Sequence, residues 1–122
     1  MNTVTKGQEA MDPKLLEDML QEHHRGNLAL VVLAELRKEH CGYMLRKALA
    51  ASYGMAIEDG TLYPLLRRLE SKGLLESEWQ EEGGRRKRAY RLSRMGKLFL
   101  KTFFNRIAIE VRHIHSLVEE FS

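Results

Sequence analysis

The segment from Asp59 to Gly73 constrains the fold most, because an apolar face and a basic face alternate within it. At 3.6 residues per turn, four leucines fall on one side of a helix, namely Leu62, Leu65, Leu66 and Leu69. The other sides hold polar and basic side chains, namely Thr61, Tyr63, Arg67, Arg68 and Lys72. Because Pro64 is tolerated only near a helix start, the helix is predicted to begin between Asp59 and Thr61 and to close at Gly73.

A cationic hairpin is predicted directly after this helix. Leu74 to Trp79 and Arg88 to Leu92 read as strands, joined by a polar loop from Gln80 to Lys87 that contains Gly83-Gly84. Residues 85–97 contain seven bases and no acid, whereas residues 1–24 contain two bases and five acids. This asymmetry indicates an anionic partner better than the net charge of +3 does.

The chain before this segment is predicted to be helical. Residues 1–11 are polar and aperiodic, which is typical of a flexible tail. Asp12-Pro13 is expected to start a short helix, and Gly26-Asn27 to interrupt it. Two more helices follow in the prediction: Leu28 to Lys38, ended by Cys41-Gly42, and Tyr43 to Tyr53, ended by Gly54.

A long helix is predicted from Ser93, its N-cap, to the C-terminus. Apolar residues recur in steps of four and three, at Leu100, Phe104, Ile107, Val111, Ile114, Val118 and Phe121. Such a heptad pattern is typical of a seam between helices. A small domain cannot easily bury so broad a stripe alone, so residues 93–122 are predicted to form a dimerisation helix.

This order of elements predicts a mainly α chain with a small β-hairpin. Residues 12–92 are expected to form a winged helix-turn-helix domain with an extra N-terminal helix. In such a domain the third of three consecutive helices, here the segment from Asp59 to Gly73, enters the major groove of DNA. The hairpin reaches the phosphates beside it.

Several motifs resemble the PadR family of bacterial transcriptional regulators over about residues 27–97. They are Cys41-Gly42-Tyr43, the run from Gly60 to Glu70, Gly73-Leu74-Leu75, the run from Glu81 to Arg85, Tyr90-Arg91-Leu92 and Gly96. The resemblance implies a homodimer that binds double-stranded DNA at a palindromic operator, with repression usually relieved by a small molecule. The sequence departs from the family pattern at Cys41, at Arg86 and at the acidic cap, Glu58 or Asp59. These departures bear on the identity of the effector more than on the fold.

The candidate DNA contacts each have a plainer alternative. Thr61 and Tyr63 suit phosphate or base contact near a helix N-terminus, or else cap and pack the helix. Arg67 is preferred over Arg68 for the groove, where a guanidinium can bind guanine bidentately; the alternative is a solvated face. The hairpin cations, Arg85, Arg86 and Lys87, are expected to contact phosphates rather than form only a solvated turn.

The last helix is open to two interpretations. The simpler is a structural dimer seam alone. The richer adds a pocket for a small aromatic or amphipathic effector at the dimer interface, lined by Phe99, Phe103, Phe104 and Ile107. Multidrug-sensing relatives bind flat aromatic compounds there, although this helix lacks a tryptophan.

Other function classes find little support. No nucleophile–base pattern, phosphate-binding glycine loop or paired apolar carboxylates indicate an enzyme, and neither metal nor cofactor is expected. The single cysteine, Cys41, and the absence of a signal or membrane-spanning stretch favour the cytoplasm. Redox sensing by Cys41 and a histidine metal site between subunits stay open as minor alternatives. The main alternative function is a winged-helix module that binds a partner protein through its last helix.

Overall fold

The computed structural model describes residues 10–122, which form four helices and a small three-stranded antiparallel sheet. In chain order the elements are α1 (Pro13–Glu35), β1 (His40–Cys41), α2 (Gly42–Tyr53), α3 (Asp59–Ser71), β2 (Leu75–Glu82), β3 (Arg85–Leu92) and α4 (Arg94–Glu120). The sheet order is β1-β3-β2. This confirms the predicted mainly α chain with a winged helix-turn-helix. Of the predicted flexible tail, residues 1–9 lie outside the described residues, and residues 10 and 11 are exposed.

The first helix is continuous, so the predicted break at Gly26-Asn27 is wrong. α1 runs for 23 residues, and the Asn27 amide lies 2.9 Å from the ring nitrogen of His23 one turn earlier instead of capping a new helix. A glycine inside a helix costs only about 1 kcal/mol relative to alanine. Burial of Leu28 and Val32 farther along the same helix outweighs that cost.

The end of α1 also differs from the prediction, because the chain turns early to reach the sheet. α1 ends at Glu35 rather than at Lys38, and the Leu92 backbone N–H donates to the Leu36 carbonyl at 2.9 Å. His40–Cys41 then forms β1 and pairs with β3. This strand was not predicted, since two residues are too few to show any periodicity.

The helix-turn-helix itself was predicted closely. α2 is closed by Gly54, whose φ of 65° is the left-handed cap expected of glycine. α3 begins at Asp59 and ends just before Gly73, which has a φ of 82°. Pro64 lies in the second turn of α3, slightly deeper than predicted.

The hairpin strands are longer than predicted and the turn is shorter. β2 and β3 extend to a turn formed by Gly83 and Gly84 alone, with φ values of 61° and 77°. Two successive residues at positive φ form the turn whose twist matches an antiparallel hairpin. The predicted loop from Gln80 to Lys87 is therefore wrong, because residues 80–82 belong to β2 and are the strand partners of residues 85–87 of β3.

The core is formed mainly by leucines from every helix. The predicted apolar face of α3 is buried throughout, and it meets residues of α1, α2 and the sheet. The largest fully buried side chains are Leu33, Leu36, Leu45, Leu49, Leu62, Leu66 and Val32.

The last helix begins as predicted and then leaves the core. The Ser93 hydroxyl accepts a hydrogen bond from the Gly96 N–H at 2.9 Å, and it donates to the Gly73 carbonyl. Leu100 is buried, whereas the seam residues beyond it are exposed apart from the half-buried Ile107. Among the helices of residues 10–122, none combines the length and the hydropathy that a membrane crossing requires.

Candidate nucleic-acid interface

The exposed face of α3 is polar and basic. Thr61, Arg67 and Arg68 are all exposed, while the leucines on the opposite side are buried. Arg67 lies about 150° around the helix axis from the centre of the leucine face, and Arg68 about 110°. Arg67 is therefore the more central of the two arginines on the exposed face.

Tyr63 occupies the boundary between this face and the core. Its ring packs against Gly42 at the start of α2, where a side chain on Gly42 would collide with it. Burial, followed by the nearby charge of Asp59, raises the pKa of the Tyr63 phenol, which therefore stays protonated at neutral pH. No group in residues 10–122 accepts a hydrogen bond from this hydroxyl, so it is a free donor beside the helix face.

Polar contacts fix α3 at both ends. At its start, the Arg46 Nε lies 3.0 Å from the Asp59 carboxylate, an ion pair without hydrogen-bond alignment. Near its end, Glu70 accepts a hydrogen bond from the Ser77 hydroxyl of β2 at 2.6 Å. The helix is thereby held against both α2 and the hairpin, with its basic face directed outward.

The predicted hairpin cations lie on β3, and its register places them on two faces. Arg85 and Lys87 lie on one face, whereas Arg86 shares the other face with Trp79 and Arg88. The second face is the one joined to α3 through Ser77. All three predicted cations are exposed.

Charged side chains of α3 and the hairpin meet near Tyr90. Burial raises the pKa of the Tyr90 phenol; the positive charge of Arg88 acts in the opposite direction, the negative charge of Glu70 adds to the rise, and the positive charge of Arg67 again opposes it. Arg67 of α3 and Arg88 of β3 therefore lie close to the same tyrosine, with the Glu70 carboxylate 3.7 Å from the Arg88 guanidinium.

Two glutamates of β2 stand opposite predicted hairpin cations without forming ion pairs with them. Glu82 is directly opposite Arg85 and Glu81 directly opposite Arg86. No carboxylate within residues 10–122 lies within 4.0 Å of the charged groups of Arg85, Arg86 or Lys87. Arg91, the last cation of β3, is instead held by three carboxylates, those of Glu39, Glu76 and Glu78.

Most of the predicted effector residues line a shallow groove on α4. Phe99 and Phe103 meet edge to face with ring centroids 5.5 Å apart. They border a groove of 370 Å³ together with Thr102, Arg106, Ile107 and Glu110, whereas Phe104 lies outside it. A larger open cavity of 680 Å³ lies elsewhere, between α1 and the connection from α2 to α3, and Thr61 is part of its wall.

The matched family model is described as the transcriptional regulator PadR-like family, and it matches residues 30–102. The chain belongs to the PadR-like family of transcriptional regulators. This confirms the resemblance seen in the motifs. The family consists of regulators and not of enzymes, in agreement with the prediction.

Individual relatives extend this likeness along the chain. A PadR family transcriptional regulator from Eggerthella lenta is 39% identical, with a TM-score of 0.78 over 87% of this chain and 94% of that chain. The transcriptional regulator Rv3488 of Mycobacterium tuberculosis is 46% identical over 48 residues, which are 39% of this chain and 45% of that protein. This chain therefore aligns with less than half the length of Rv3488. A protein X of Lysinibacillus sphaericus is 32% identical over 101 residues, or 79% of this chain and 91% of that protein.

Two exposed residues of α2 in this PadR-like regulator were not predicted as contacts. Tyr43 is 55% exposed beside Gly42, and the Lys47 ammonium lies 5.3 Å from its ring centroid. Their spacing of four residues places them on one side of α2. That spacing is visible in the sequence, but the exposure of both side chains depends on which face of α2 packs against the core.

Proposed function

We propose that this chain is a sequence-specific DNA-binding repressor that acts as a homodimer and is released from DNA by a small molecule. The observation that supports DNA binding most strongly is the exposed basic face of α3 together with the exposed β3 cations Arg85, Arg86 and Lys87, which have no carboxylate within 4.0 Å among residues 10–122. A polyanion as wide as DNA can contact both elements at once.

The residues would divide into base-reading and phosphate-binding groups. Arg67, central on the exposed face of α3, is proposed to read a base in the major groove. Arg68 and Thr61 flank it, and the Tyr63 hydroxyl is proposed to donate to a phosphate. The cations Arg85, Arg86 and Lys87 are proposed to bind phosphates beside the groove.

A homodimer is proposed because apolar residues remain exposed on both terminal helices. On α4 these are seam positions such as Val111, Ile114 and Val118, and on the first half of α1 they include Leu15 and Met19. A second copy can cover both stripes and place two α3 helices in successive major grooves, about 34–36 Å apart. Such a dimer would require a palindromic operator.

Release by an effector is proposed for the groove formed by Phe99, Phe103 and Ile107. Its lining combines these apolar side chains with the charged side chains of Arg106 and Glu110, which suits a small aromatic or amphipathic compound. Because α4 would form the dimer seam, a compound bound there can change the distance between the two α3 helices. Repression, rather than activation, is proposed because the family resemblance implies it.

A titration of labelled DNA tests DNA binding and its specificity. Duplex from upstream of the chain's own gene should bind more tightly than a duplex of the same length and scrambled sequence at physiological salt. The logarithm of the affinity should fall with the logarithm of salt concentration by about 0.9 per phosphate neutralised. Equal affinity for both duplexes would refute a sequence-specific regulator, and a stable complex with another protein in place of DNA would support the alternative interaction module.

The phosphate contacts are tested by a charge-removing pair of substitutions. Arg85→Gln together with Lys87→Gln should weaken binding to both duplexes by a similar factor and reduce the salt slope by about 2. The matched control is Arg94→Gln with Lys97→Gln, which removes the same charge from the exposed start of α4. An equal loss of slope in the control would mean that these strand cations are not specific contacts.

A further inference from the structure

Trp79 lies on the hairpin in an unusual setting for a tryptophan. It is 55% exposed in the middle of β2, and two arginines of β3, Arg86 and Arg88, lie on the same face of the hairpin. The guanidinium carbon of Arg86 lies 4.8 Å from the centroid of its ring, and that of Arg88 lies 5.2 Å away. These distances are within the range of cation–π attraction.

The two arginines differ in their other contacts. The Arg88 Nε donates to the Ser77 hydroxyl at 2.8 Å, and its guanidinium lies 3.7 Å from the Glu70 carboxylate. Arg88 is therefore bound into the connection between the hairpin and α3. Arg86 has no carboxylate within 4.0 Å in the part of the chain that the structure describes, and its guanidinium lies over the ring of Trp79.

The absence of an ion pair at Arg86 is informative because an acid stands directly opposite. Glu81 is the cross-strand partner of Arg86 in the register, at a separation where opposite charges normally attract. Trp79 is the diagonal neighbour on the same face, and the guanidinium lies over its ring instead. A guanidinium stacks flat on an aromatic ring and keeps its N–H donors free at the edge.

We propose that Trp79 is a positioning residue for DNA binding: its indole holds the Arg86 guanidinium away from Glu81, so that Arg86 meets a DNA phosphate as a free cation. The proposal rests on the proposed DNA-binding function. Trp79 itself needs no contact with DNA in this scheme. Its contribution is to prevent a cation and an acid on neighbouring strands from neutralising each other.

The contact can be tested first without DNA. Trp79 is the one tryptophan in the 122-residue sequence, so tryptophan fluorescence reports on this site alone. Arg86→Gln should change the intensity or wavelength of the emission, and Arg85→Gln, on the opposite face of the hairpin, should leave both unchanged. An unchanged emission in Arg86→Gln would overturn the proposal.

A double-mutant cycle then tests the effect on DNA binding. The probe is a fluorescein-labelled duplex of mixed sequence, about 30 base pairs or three helical turns long. Trp79→Leu should weaken binding about threefold to tenfold, and Trp79→Phe should restore part of the loss because a phenyl ring also attracts a cation. Glu81→Gln should improve binding more in the Trp79→Leu background than in the unsubstituted chain, by about threefold.

Glu82→Gln provides the matched control, because it removes the same charge from the opposite face of the hairpin and should improve binding equally in both backgrounds. Equal gains from Glu81→Gln in both backgrounds, or unchanged binding in Trp79→Leu, would refute the role of Trp79 while leaving DNA binding intact. No binding by the unsubstituted chain would refute the proposed function together with this role. Circular dichroism of each variant excludes loss of folding as the cause.

Discussion

At the scale of single residues, the position of Tyr63 depends on the absence of a side chain at Gly42. The tyrosine ring fills the space where a Cβ on Gly42 would lie, which brings the first turn of α2 close to α3. The hydroxyl has no hydrogen-bond partner among residues 10–122. One glycine therefore sets the place of a proposed phosphate contact on a different helix.

Gly42→Ala is expected to force the Tyr63 ring out of this position and to lower the free energy of unfolding by about 1–3 kcal/mol. Urea unfolding of the two single variants and the double variant with Tyr63→Ala measures the effect. The loss should be smaller in the Tyr63→Ala background, because the colliding ring is then absent. An equal loss in both backgrounds would mean that another neighbour of Gly42 is responsible.

The choice between the two arginines of α3 also belongs to this scale. Arg67→Gln should reduce the preference for operator over scrambled DNA by about 1–3 kcal/mol, the discrimination of one bidentate contact to guanine. Arg68→Gln removes the same charge from the flank of the helix and should weaken binding to both duplexes by the same factor. Paired DNA titrations of the two variants measure this, and the reverse pattern would assign base contact to Arg68.

At the scale of elements, the glycines of the helices show how differently one residue type can act. Gly26 lies within α1 with open space around it, whereas a Cβ on Gly96 would meet the Leu74 carbonyl oxygen. The first glycine is dispensable for packing. The second allows α4 to start directly beside the strand that begins the hairpin.

Gly26→Ala should therefore raise the free energy of unfolding by about 1 kcal/mol, because alanine favours the helical backbone. Gly96→Ala should lower it by about 3 kcal/mol or more, since backbone atoms cannot move aside as a side chain can. Thermal and urea unfolding of both variants provide the comparison. Destabilisation by Gly26→Ala would indicate that α1 is not a continuous helix in solution.

At the scale of the whole molecule, the exposed stripe of α4 determines the expected assembly. A helix of 27 residues is about 40 Å long. After Leu100, the seam residues of this helix are exposed, apart from the half-buried Ile107. Since large apolar patches are rare on monomers, a second copy is the proposed cover.

Ile114→Glu, at the middle of this stripe, should convert the proposed dimer into a monomer or weaken the dimer at least tenfold, about 1.4 kcal/mol, because a carboxylate would be buried at the seam. Analytical ultracentrifugation over a range of concentrations measures the change. Ser116→Glu introduces the same charge off the seam and should leave the assembly unchanged. A monomeric unsubstituted chain would refute the dimer.

The helices and the hairpin of this protein are determined by local sequence signals and could therefore be predicted. The leucine spacing in α3 predicted its buried face, Ser93 predicted the start of α4, and Gly83-Gly84 predicted a hairpin. Each of these signals depends on neighbours within a few residues, because helix periodicity, capping and turns are local properties. The family motifs depend on the same local segments.

Contacts between distant segments decided the remainder. Arg85, Arg86 and Lys87 were predicted to lie in a loop. The pairing of β2 with β3 places them on a strand, and its register puts them on two different faces. Continuity of α1 through Gly26 and the packing of Tyr63 on Gly42 likewise depend on tertiary packing. A sequence pattern defines which side chains share a face of an element, but only the packing of elements decides what that face meets.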